Sequence, residues 1–468
     1  MSNLPVSLPP TLSGTPLLGN ALQFFRDPIS LLKRGLKEFG NIFSFRLGSQ
    51  PAVALLGPDY SRFFFDQTDK LLSIRSAYPF FISMFSERTY FFAKPDEYRE
   101  QRNIILPCFQ GKKMANYVDV MARVTAEFMA QLGPSGQCDL TSTLGPLVMK
   151  VASAAFLGED FCRRLGKEFF DVFRAFSGGM ELILPLWLPL PRLLRSKRAK
   201  VQIQEMLKAL IASRRRVPRV PEDFLQTLVS ARYSDGEPVP DSVIINLIII
   251  LVWAGHETTA GHISWALADL LRHPDYLETV LDQQGAVLGD GTEIDYEHLQ
   301  RLKRMEWALK ETERLNPVAY VLMRAAQEDL ELSGYLIPKR SSVFLSPTLS
   351  HRLPEVWQSP DVYDPERFGP ERAEDKRPYS LIGFGGGTHR CAGVNFAYQE
   401  MKVILTLLLQ RYELKLLDES PQPVSGARTK WPQSPCRVRY RLRERRRAPS
   451  LWIPPEPTAR CPFHASVH

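Results

Sequence analysis

The longest apolar stretch of the chain, residues 244–255, is interrupted by Asn246 and continues into polar residues. Its surroundings predict a helix that begins after Pro240, with Asp241 as the N-cap, and ends near Arg272. A membrane-spanning helix needs about 18 consecutive apolar residues, and no run in the sequence reaches that length. The pattern therefore predicts a long central helix in a folded domain rather than a membrane anchor.

Other segments show helical or alternating patterns. Residues 42–55 alternate apolar and polar side chains around Gly48, which predicts a β-hairpin. Further strands are expected at residues 321–326, 343–346, 412–417 and 436–442. Helices are expected from Pro95, over most of residues 112–211, and at residues 304–315 and 394–410. The sequence therefore predicts a mainly α fold with a smaller β region.

Two segments allow more than one interpretation. Residues 73–93 are crowded with aromatic side chains that lack helical spacing, and they form either a core segment or a loop lining an apolar cavity. Residues 182–190 form an apolar, proline-interrupted loop flanked by basic residues. This loop either packs on its neighbours or is a substrate entrance that dips into a membrane surface.

The net charge does not indicate a nucleic-acid partner. Of the formal +8, residues 437–447 contribute seven arginines and one glutamate, a net +6, which leaves only +2 for the remainder. We expect one domain over residues 1–442 and a basic, proline-containing, disordered tail over residues 443–468. The uncharged N-terminal segment and the unpaired spacing of the six cysteines predict a cytoplasmic protein.

The chemistry of the sequence centres on residues 384–393, Phe-Gly-Gly-Gly-Thr-His-Arg-Cys-Ala-Gly. Three successive glycines let the backbone approach a flat ligand closely, and Cys391 follows them as a metal ligand. A helix after Gly393 would direct its N-terminal N–H groups at the thiolate and stabilise it. The stretch predicts a clamp on a metal-bearing cofactor, and a glycine-rich loop around a buried free cysteine is the alternative.

A second unusual stretch lies inside the predicted central helix. Residues 254–259, Ala-Gly-His-Glu-Thr-Thr, place a glycine and a cluster of polar groups in an otherwise apolar helix. Burying such groups costs free energy unless they are hydrogen-bonded or used. The stretch is therefore either a functional notch or a kink at Gly255 whose polar groups face a partner.

The pattern F-x-x-G-x-[HR]-x-C-x-G at Phe384, Gly387, His389, Cys391 and Gly393 resembles the haem-binding signature of the cytochrome P450 family. Residues 254–259 resemble its oxygen-activation motif, and residues 311–314 and 365–368 resemble its E-x-x-R and P-E-R-F motifs. The resemblance covers residues 1–442. It implies the cytochrome P450 fold with a long central helix over haem b, Cys391 as axial iron ligand, and O2 as co-substrate.

The resemblance also implies roles for individual residues. The residues expected at the haem and its propionates are His389, Arg324, Arg102 or Arg99, Tyr78, Phe384, Gly385 and Arg390. Gly255 would leave room for O2, Thr258 would hydrogen-bond it, and Glu257 would relay protons. The residues expected in the substrate cavity are Phe80, Phe81, Phe85 and Ala254. The expected structural ion triad is Glu311, Arg314 and Arg367.

Within the family, residues 76–80, 322–325, 350–355 and 436–440 look like soluble bacterial sterol 14α-demethylases. That branch typically has histidine where this chain has Glu257, and proline and glycine where it has Ser83 and Ser86. Glutamate before the threonine is typical of ordinary hydroxylases of the family. A single oxygenation is therefore as compatible with the sequence as three-step removal of a sterol methyl group.

The sequence predicts a haem-thiolate monooxygenase that hydroxylates or epoxidises a hydrophobic terpenoid, fatty acid, polyketide or sterol. The alternatives are a sterol 14α-demethylase proper and a non-oxygenating isomerase or dehydratase, against which the pair Glu257 and Thr258 argues. A separate redox partner (a ferredoxin, flavodoxin or reductase) is expected, with Arg102, Lys112 and Lys113 as candidates for its docking face. We expect a monomer with at most peripheral membrane contact.

Overall fold

The computed structural model describes residues 7–179, 190–220, 222–289, 293–418, 420–426 and 429–443. Its helices are α1 Ala21–Arg26, α2 Pro28–Phe39, α3 Pro58–Asp66, α4 Ile74–Ala77, α5 Pro79–Met84, α6 Pro95–Ile105, α7 Lys112–Leu132, α8 Leu140–Leu157, α9 Glu159–Ser177, α10 Pro191–Arg216, α11 Phe224–Ser230, α12 Asp241–Arg272, α13 Pro274–Leu288, α14 Tyr296–Arg301, α15 Lys303–Leu315, α16 Pro347–Ser350 and α17 Val394–Arg411. Its strands are β1 Ile42–Leu47, β2 Gln50–Leu55, β3 Leu72–Ser73, β4 Ser135–Asp139, β5 Leu322–Ala326, β6 Leu330–Leu332, β7 Tyr335–Ile337, β8 Ser342–Leu345, β9 Tyr412–Leu416 and β10 Arg437–Leu442. The mainly α fold with a smaller β region is confirmed.

The predicted central helix is confirmed as α12, which has apolar residues buried on every side along most of its length. It packs most extensively against α8 and also contacts α15 and α17. The N-cap prediction was wrong, because Pro240 occupies the cap position and Asp241 is already helical. The Asp241 carboxylate instead forms an ion pair with Arg215 of α10.

The β region consists of separate sheets. The predicted hairpin is confirmed as β1 and β2, which join a five-stranded sheet in the order β1-β2-β8-β5-β3. Strands β9 and β10 form the expected C-terminal pair, and β4 extends it to three strands. Strand β4 was not predicted, because its polar sequence Ser-Gly-Gln-Cys-Asp has no strand pattern and its pairing partner lies some 300 residues away.

The aromatic segment is largely helical, so the interpretation of it as a loop was wrong. It forms α4, α5 and a 3₁₀ turn at Tyr90–Phe92, because Pro79 is tolerated at the start of a helix and allows a new one to begin there. The predicted apolar loop at residues 182–190 lies outside the described residues, apart from Leu190. The predicted tail also lies outside them beyond Arg443.

Two helices, Leu140–Leu157 and Asp241–Arg272, are long and apolar enough to cross a membrane by length and composition. Within their most apolar windows, 78% and 56% of the residues are buried inside the protein. Their apolar character is accounted for by packing, because α8 and α12 face each other in the largest core cluster.

The triad of charged residues predicted from the family motifs is brought together in the interior. Glu311 Oε2 lies 2.7 Å from Arg314 Nε and 3.1 Å from Arg367 Nε, and all three side chains are 0% exposed. The backbone N–H of Asp364 donates to Glu311 Oε1 at 2.8 Å. Arg367 also lies 2.7 Å from Glu374. The network fixes the irregular chain between β8 and the cysteine loop onto α15.

Candidate active site

The cysteine loop runs from Phe384 to Gly393 and is closed by its own backbone. The N–H of Cys391 donates to the carbonyl of Phe384 at 2.9 Å. Gly385 and Gly387 have φ of 72° and 60°, which side chains rarely tolerate, and a Cβ at Gly387 would lie 3.1 Å from the Phe65 side chain. The loop geometry therefore depends on glycine at both positions.

The cysteine sits where the predicted helix α17 begins. Burial raises the pKa of the Cys391 thiol, whereas the Gly393 N–H and the nearby charges of Arg102 and Arg390 lower it. Phe384 anchors the start of the loop, with its ring 5.5 Å from Tyr398 of α17 and 6.1 Å from His262 of α12. The loop thus lies between these two helices.

His389 is held in a fixed orientation within the loop. Its Nε2 lies 2.6 Å from Asp69 Oδ2, and its ring stacks on Tyr98 with centroids 4.0 Å apart and planes 12° apart. Burial lowers the pKa of His389, an effect that Asp69 opposes. Its other nitrogen, Nδ1, is buried without a hydrogen-bond partner. A buried ring nitrogen of this kind calls for a polar ligand group.

Two arginines converge beside His389. Arg102 donates to the hydroxyls of Tyr90 and Tyr98, both at 3.2 Å, and to the carbonyl of Arg390 at 3.0 Å. Arg324 is buried, donates to Thr68 Oγ1 at 3.1 Å, and lies over the ring of Phe64. Among the described residues, neither arginine has a carboxylate within ion-pair distance.

The alternative propionate ligand, Arg99, is not brought into this cluster. Its guanidinium points outward from α6 and forms an ion pair with Asp96 one turn earlier. Residues three apart in a helix lie on similar faces, so the difference comes from Tyr90 and Tyr98, whose hydroxyls accept hydrogen bonds from Arg102 and not from Arg99. The structure therefore favours Arg102 over Arg99.

Tyr78 completes the polar side of the site. Its hydroxyl accepts the backbone N–H of Met323 at 3.0 Å and keeps its own hydrogen for donation. Burial raises the pKa of Tyr78, and the charge of Arg324 opposes the rise. Burial also lowers the pKa of Arg324 to about 10, which leaves it positively charged at neutral pH.

These residues fit haem. The thiol of Cys391 is a suitable iron ligand at a helix N-terminus. Arg102 and Arg324 have no carboxylate partners in the part of the chain that the structure describes, and His389 Nδ1 has no partner at all. Carboxylate groups on a flat ligand would satisfy both arginines, and His389 Nδ1 would donate to one of them when the ring is protonated. Haem carries two such propionate groups.

The polar stretch of α12 forms a notch. Val252 and Thr259 are buried, whereas residues 253–258 between them are partly or fully exposed. An ideal Cβ at Gly255 would meet nothing within 4 Å, and the Thr258 hydroxyl donates to the Ala254 carbonyl at 2.6 Å. His262, one turn further, contacts Phe384 of the cysteine loop. The notch and the loop are therefore neighbours.

Two titratable side chains of this stretch have different surroundings. Burial raises the pKa of Glu257, and no compensating charge acts on it. Burial lowers the pKa of His256 to about 4, and its ring faces the backbone of Gly145 in α8. His256 is therefore neutral and turned toward α8, whereas Glu257 is an acid with a raised affinity for a proton.

The expected cavity residues divide into two groups. Phe80 and Phe81 are half-buried with ring centroids 4.5 Å apart, beside Tyr78. Phe85 is 2% exposed and packs on Phe176, so it belongs to the core. Trp253 packs on Phe81 at 5.3 Å and on Phe85 at 5.4 Å, which places an aromatic of α12 next to Ala254.

Sequence reasoning missed several partners of the site. They are Thr68, Asp69, Tyr90, Trp253, Glu313 and Tyr398. Trp253 could have been found, because it directly precedes the polar stretch of the central helix. Asp69 could not, because it lies 320 residues from His389 in a segment without a motif.

The three residues proposed for the docking face of a redox partner also differ in their exposure and contacts. Arg102 faces the interior, and Lys113 Nζ donates to Thr227 of α11 at 2.7 Å. Lys112 is exposed. Only Lys112 of the three therefore presents its side chain freely to a partner among the described residues.

Comparison with known proteins identifies the family. The family model of cytochrome P450 matches residues 9–436. A sterol 14-demethylase from Arabidopsis thaliana is 32% identical over 448 residues, covering 93% of this chain and 92% of that protein. A sterol 14alpha-demethylase from Mycobacterium tuberculosis is 30% identical over 451 residues, covering 94% of this chain and 99% of that protein.

A solved structure agrees with these relatives. Cyanobacterial CYP120A1 with bound retinoic acid matches with a TM-score of 0.84 and 26% identity, covering 94% of this chain and 100% of that one. Proteins of the family bind haem through a cysteine thiolate, use O2 and act on hydrophobic substrates with electrons from a redox partner. This chain belongs to the cytochrome P450 family and is a haem-thiolate monooxygenase.

Proposed function

We propose that the chain inserts one oxygen atom from O2 into a hydrophobic molecule, by hydroxylation or epoxidation of a terpenoid, fatty acid, polyketide or sterol. The observation that carries this proposal is the notch of α12. It combines an open glycine, a partly buried acid and an adjacent hydroxyl beside the cysteine loop. The half-buried aromatic group of Phe80, Phe81 and Trp253 supports an apolar substrate.

Haem would be held by Cys391 from one face and by charged groups at its edge. Arg102 and Arg324 have free N–H groups for the propionates, Tyr78 adds a hydroxyl, and His389 Nδ1 would donate once its ring is protonated. Phe384 and Gly385 belong to the loop that would hold the haem, and their backbone is fixed by hydrogen bonds with Cys391 and Ile382. The bound haem supplies the oxidising chemistry, and the thiolate favours cleavage of the O–O bond.

The protein's own contribution is to position and move protons. Because burial raises the pKa of Glu257, this carboxyl can hold a proton and release it inward. Thr258 presents its hydroxyl at the notch, oriented by the Ala254 carbonyl. When haem and substrate fill the notch, the apolar side chains beside it would limit the access of water to this acid and hydroxyl.

A sterol 14α-demethylase is the second candidate. It is supported by relatives that carry that name and are 30% to 32% identical to this chain over nearly its whole length. Glu257 argues against a sterol 14α-demethylase, because that branch of the family typically has histidine at this position. A haem-thiolate isomerase or dehydratase is disfavoured by the presence of both Glu257 and Thr258.

We further propose that residues 1–442 form one catalytic domain of a cytoplasmic monomer, served by a ferredoxin, flavodoxin or reductase.

Peripheral membrane contact is supported by an N-terminal apolar surface, which we define as Leu17, Leu18, Leu22 and Phe25. Leu17 is 94% exposed at the tip of a tight turn with φ of 65°. The neighbouring cations are Arg26 and Arg46. Such a surface suits an anionic lipid interface.

Replacing Arg324 by methionine should weaken haem retention. A charge-assisted hydrogen bond contributes about 1.5–3 kcal/mol, so we expect about 10- to 100-fold faster transfer of haem to apomyoglobin. The matched control is Arg99→Met, which removes an exposed arginine of α6 that lies outside the cluster and should have little effect. Equal retention in both variants would contradict the role of Arg324.

Replacing Thr258 by alanine should uncouple electron use from product formation. We expect about a 10-fold or greater fall in product per electron and a matching rise in hydrogen peroxide, because the hydroxyl at the notch is lost. Thr258→Ser keeps the hydroxyl and should remain coupled. Thr259→Ala, at a buried neighbour, is the control. Unchanged coupling in Thr258→Ala would refute the oxygen-activation assignment.

Titration of the ferric protein with a 14α-methyl sterol tests whether the substrate cavity admits a sterol, as the sterol 14α-demethylase candidate requires. A saturable shift of the Soret band to the high-spin form reports loss of water from the iron. Such a shift would favour the sterol 14α-demethylase candidate. Because Glu257 replaces the histidine of that branch, we expect a stronger response from a panel of fatty acids, terpenoids and polyketides. A thiolate-type carbon monoxide spectrum establishes that the sample is intact.

The N-terminal apolar surface should bind vesicles that contain anionic lipid better than neutral vesicles. Leu17→Asp or Leu22→Asp should reduce co-sedimentation about 10-fold or more, since each buried leucine contributes about 1.5–3 kcal/mol. Val362→Asp changes an exposed apolar residue elsewhere and serves as the control. Equal binding by all variants would exclude this surface, and sedimentation of lipid-free protein reports whether it is monomeric.

A further inference from the structure

Glu313 lies between Glu311 and Arg314 in the sequence, but its side chain serves a different part of the molecule. It is only 5% exposed. The hydroxyl of Tyr398 donates to Glu313 Oε2 at 2.9 Å, and the backbone N–H of Gly383 donates to the same carboxylate. Gly383 directly precedes the cysteine loop, and Tyr398 lies in α17 directly after it. One carboxylate therefore connects both ends of the loop.

The packing around this carboxylate is close. A Cβ at Gly383 would lie 2.6 Å from Glu313 Cγ, so any larger residue would displace the Glu313 side chain. The preceding N–H, of Ile382, donates to His351 Nε2 at 2.9 Å. The Tyr398 ring also lies 5.5 Å from the ring of Phe384. The chain entering the loop is thus fixed at consecutive residues.

The charges facing Glu313 come from three elements. Lys310 of α15 and Arg390 of the loop favour its ionised form, but Lys310 is already paired with Asp375 at 2.8 Å. Tyr398 of α17 has Glu306 and Asp375 nearby, and Glu306 is paired with Lys402. Burial outweighs the favourable partners and raises the pKa of Glu313 to about 7.

Glu313 is coupled electrostatically to the metal ligand and has a route to solvent. Its negative charge raises the pKa of the Cys391 thiol. It also lines a cleft of about 640 Å³ on the cysteine side, together with Lys310, Asp375, Arg390, Tyr398 and Lys402. A proton can therefore reach the carboxylate from this cleft without crossing the substrate cavity.

We propose that Glu313 is a positioning residue of the cysteine loop and that its carboxylate takes up a proton when the haem iron is reduced. The redox partner supplies one electron to ferric iron, and solvent supplies one proton through the cleft, so the net charge around the loop is unchanged. The physical reason is that a buried negative charge near the thiolate opposes the addition of an electron. This inference rests on the proposed role of Cys391 as iron ligand.

The test is the reduction potential of the ferric–ferrous couple, measured by spectroelectrochemical titration between about pH 6 and pH 8.5, because the raised pKa of Glu313, about 7, lies in that range and the ordinary pKa of a glutamate does not. The wild-type potential should fall as the pH rises, because the proton is then harder to retain. Glu313→Gln can keep both hydrogen bonds if the amide donates to Tyr398. We expect its potential to match the wild type at the acid end, to exceed it at the alkaline end, and to depend little on pH.

Two further variants separate charge from structure. Tyr398→Phe removes a hydrogen bond that lowers the Glu313 pKa, so its pH-dependent region should move to higher pH. Asp375→Asn removes another carboxylate of the same cleft that does not contact Gly383, and its potential should still depend on pH, with the pH-dependent region moved to lower pH because Lys310 loses its partner. If Glu313→Gln does not incorporate haem, the inference is tested by Tyr398→Phe alone. An unmoved pH-dependent region of its potential would then contradict the inference.

A measurement without haem chemistry provides an independent check. The pKa of Glu313 is raised in the folded protein, so its stabilising contribution is present below its unfolded pKa and is lost as the pH rises toward 7. Urea unfolding should therefore show Glu313→Gln gaining stability relative to wild type over that interval.

The outcomes distinguish a failure of the inference about Glu313 from a failure of the assignment of Cys391 as iron ligand. If potential–pH curves of wild type and Glu313→Gln superimpose while both show thiolate-type carbon monoxide spectra, the inference is wrong and the haem-thiolate function stands. If wild type itself lacks that spectrum, the assignment of Cys391 fails first.

Discussion

The structure depends on the burial of Glu311 between two arginines. Taking such charges out of water costs several kcal/mol for each ion, which only good geometry and full hydrogen bonding can offset. Here Arg314 and Arg367 also donate to backbone carbonyls, including those of His351 at 2.9 Å and Gln358 at 2.8 Å. The network therefore does more than pair charges. It fixes an irregular segment with little regular structure of its own onto α15.

That segment carries the cysteine loop. Because α15 presents Glu311 and Arg314 on one side and Glu313 on another, a single helix organises both the segment and the loop. Across the loop, His389, Arg102 and Arg324 gather unpaired hydrogen-bonding capacity at one edge. The chemistry of the site follows from this separation. Charges with mutual partners hold the backbone, and those without partners face the cofactor side.

Much of the fold could be predicted from the sequence, since its signals are local. The central helix and the helix after the loop were predicted almost to their ends from apolar content and flanking Pro240 and Gly393. Strand β4 was missed because its residues have no strand preference and pair only through tertiary contacts. The aromatic segment became helical turns because Pro79 starts a helix, which side-chain spacing alone did not reveal.

The site shows the same division. The sequence by itself determined which residues bear the chemistry, because Cys391, Glu257 and Thr258 stand in short motifs whose spacing is set by a single loop or helix. Only the tertiary structure decided which arginine faces the cofactor side, which histidine nitrogen lacks a partner, and which carboxylate contacts the loop. The physical reason is that burial and pairing depend on residues far apart in sequence, such as Asp69 with His389 and Glu313 with Tyr398.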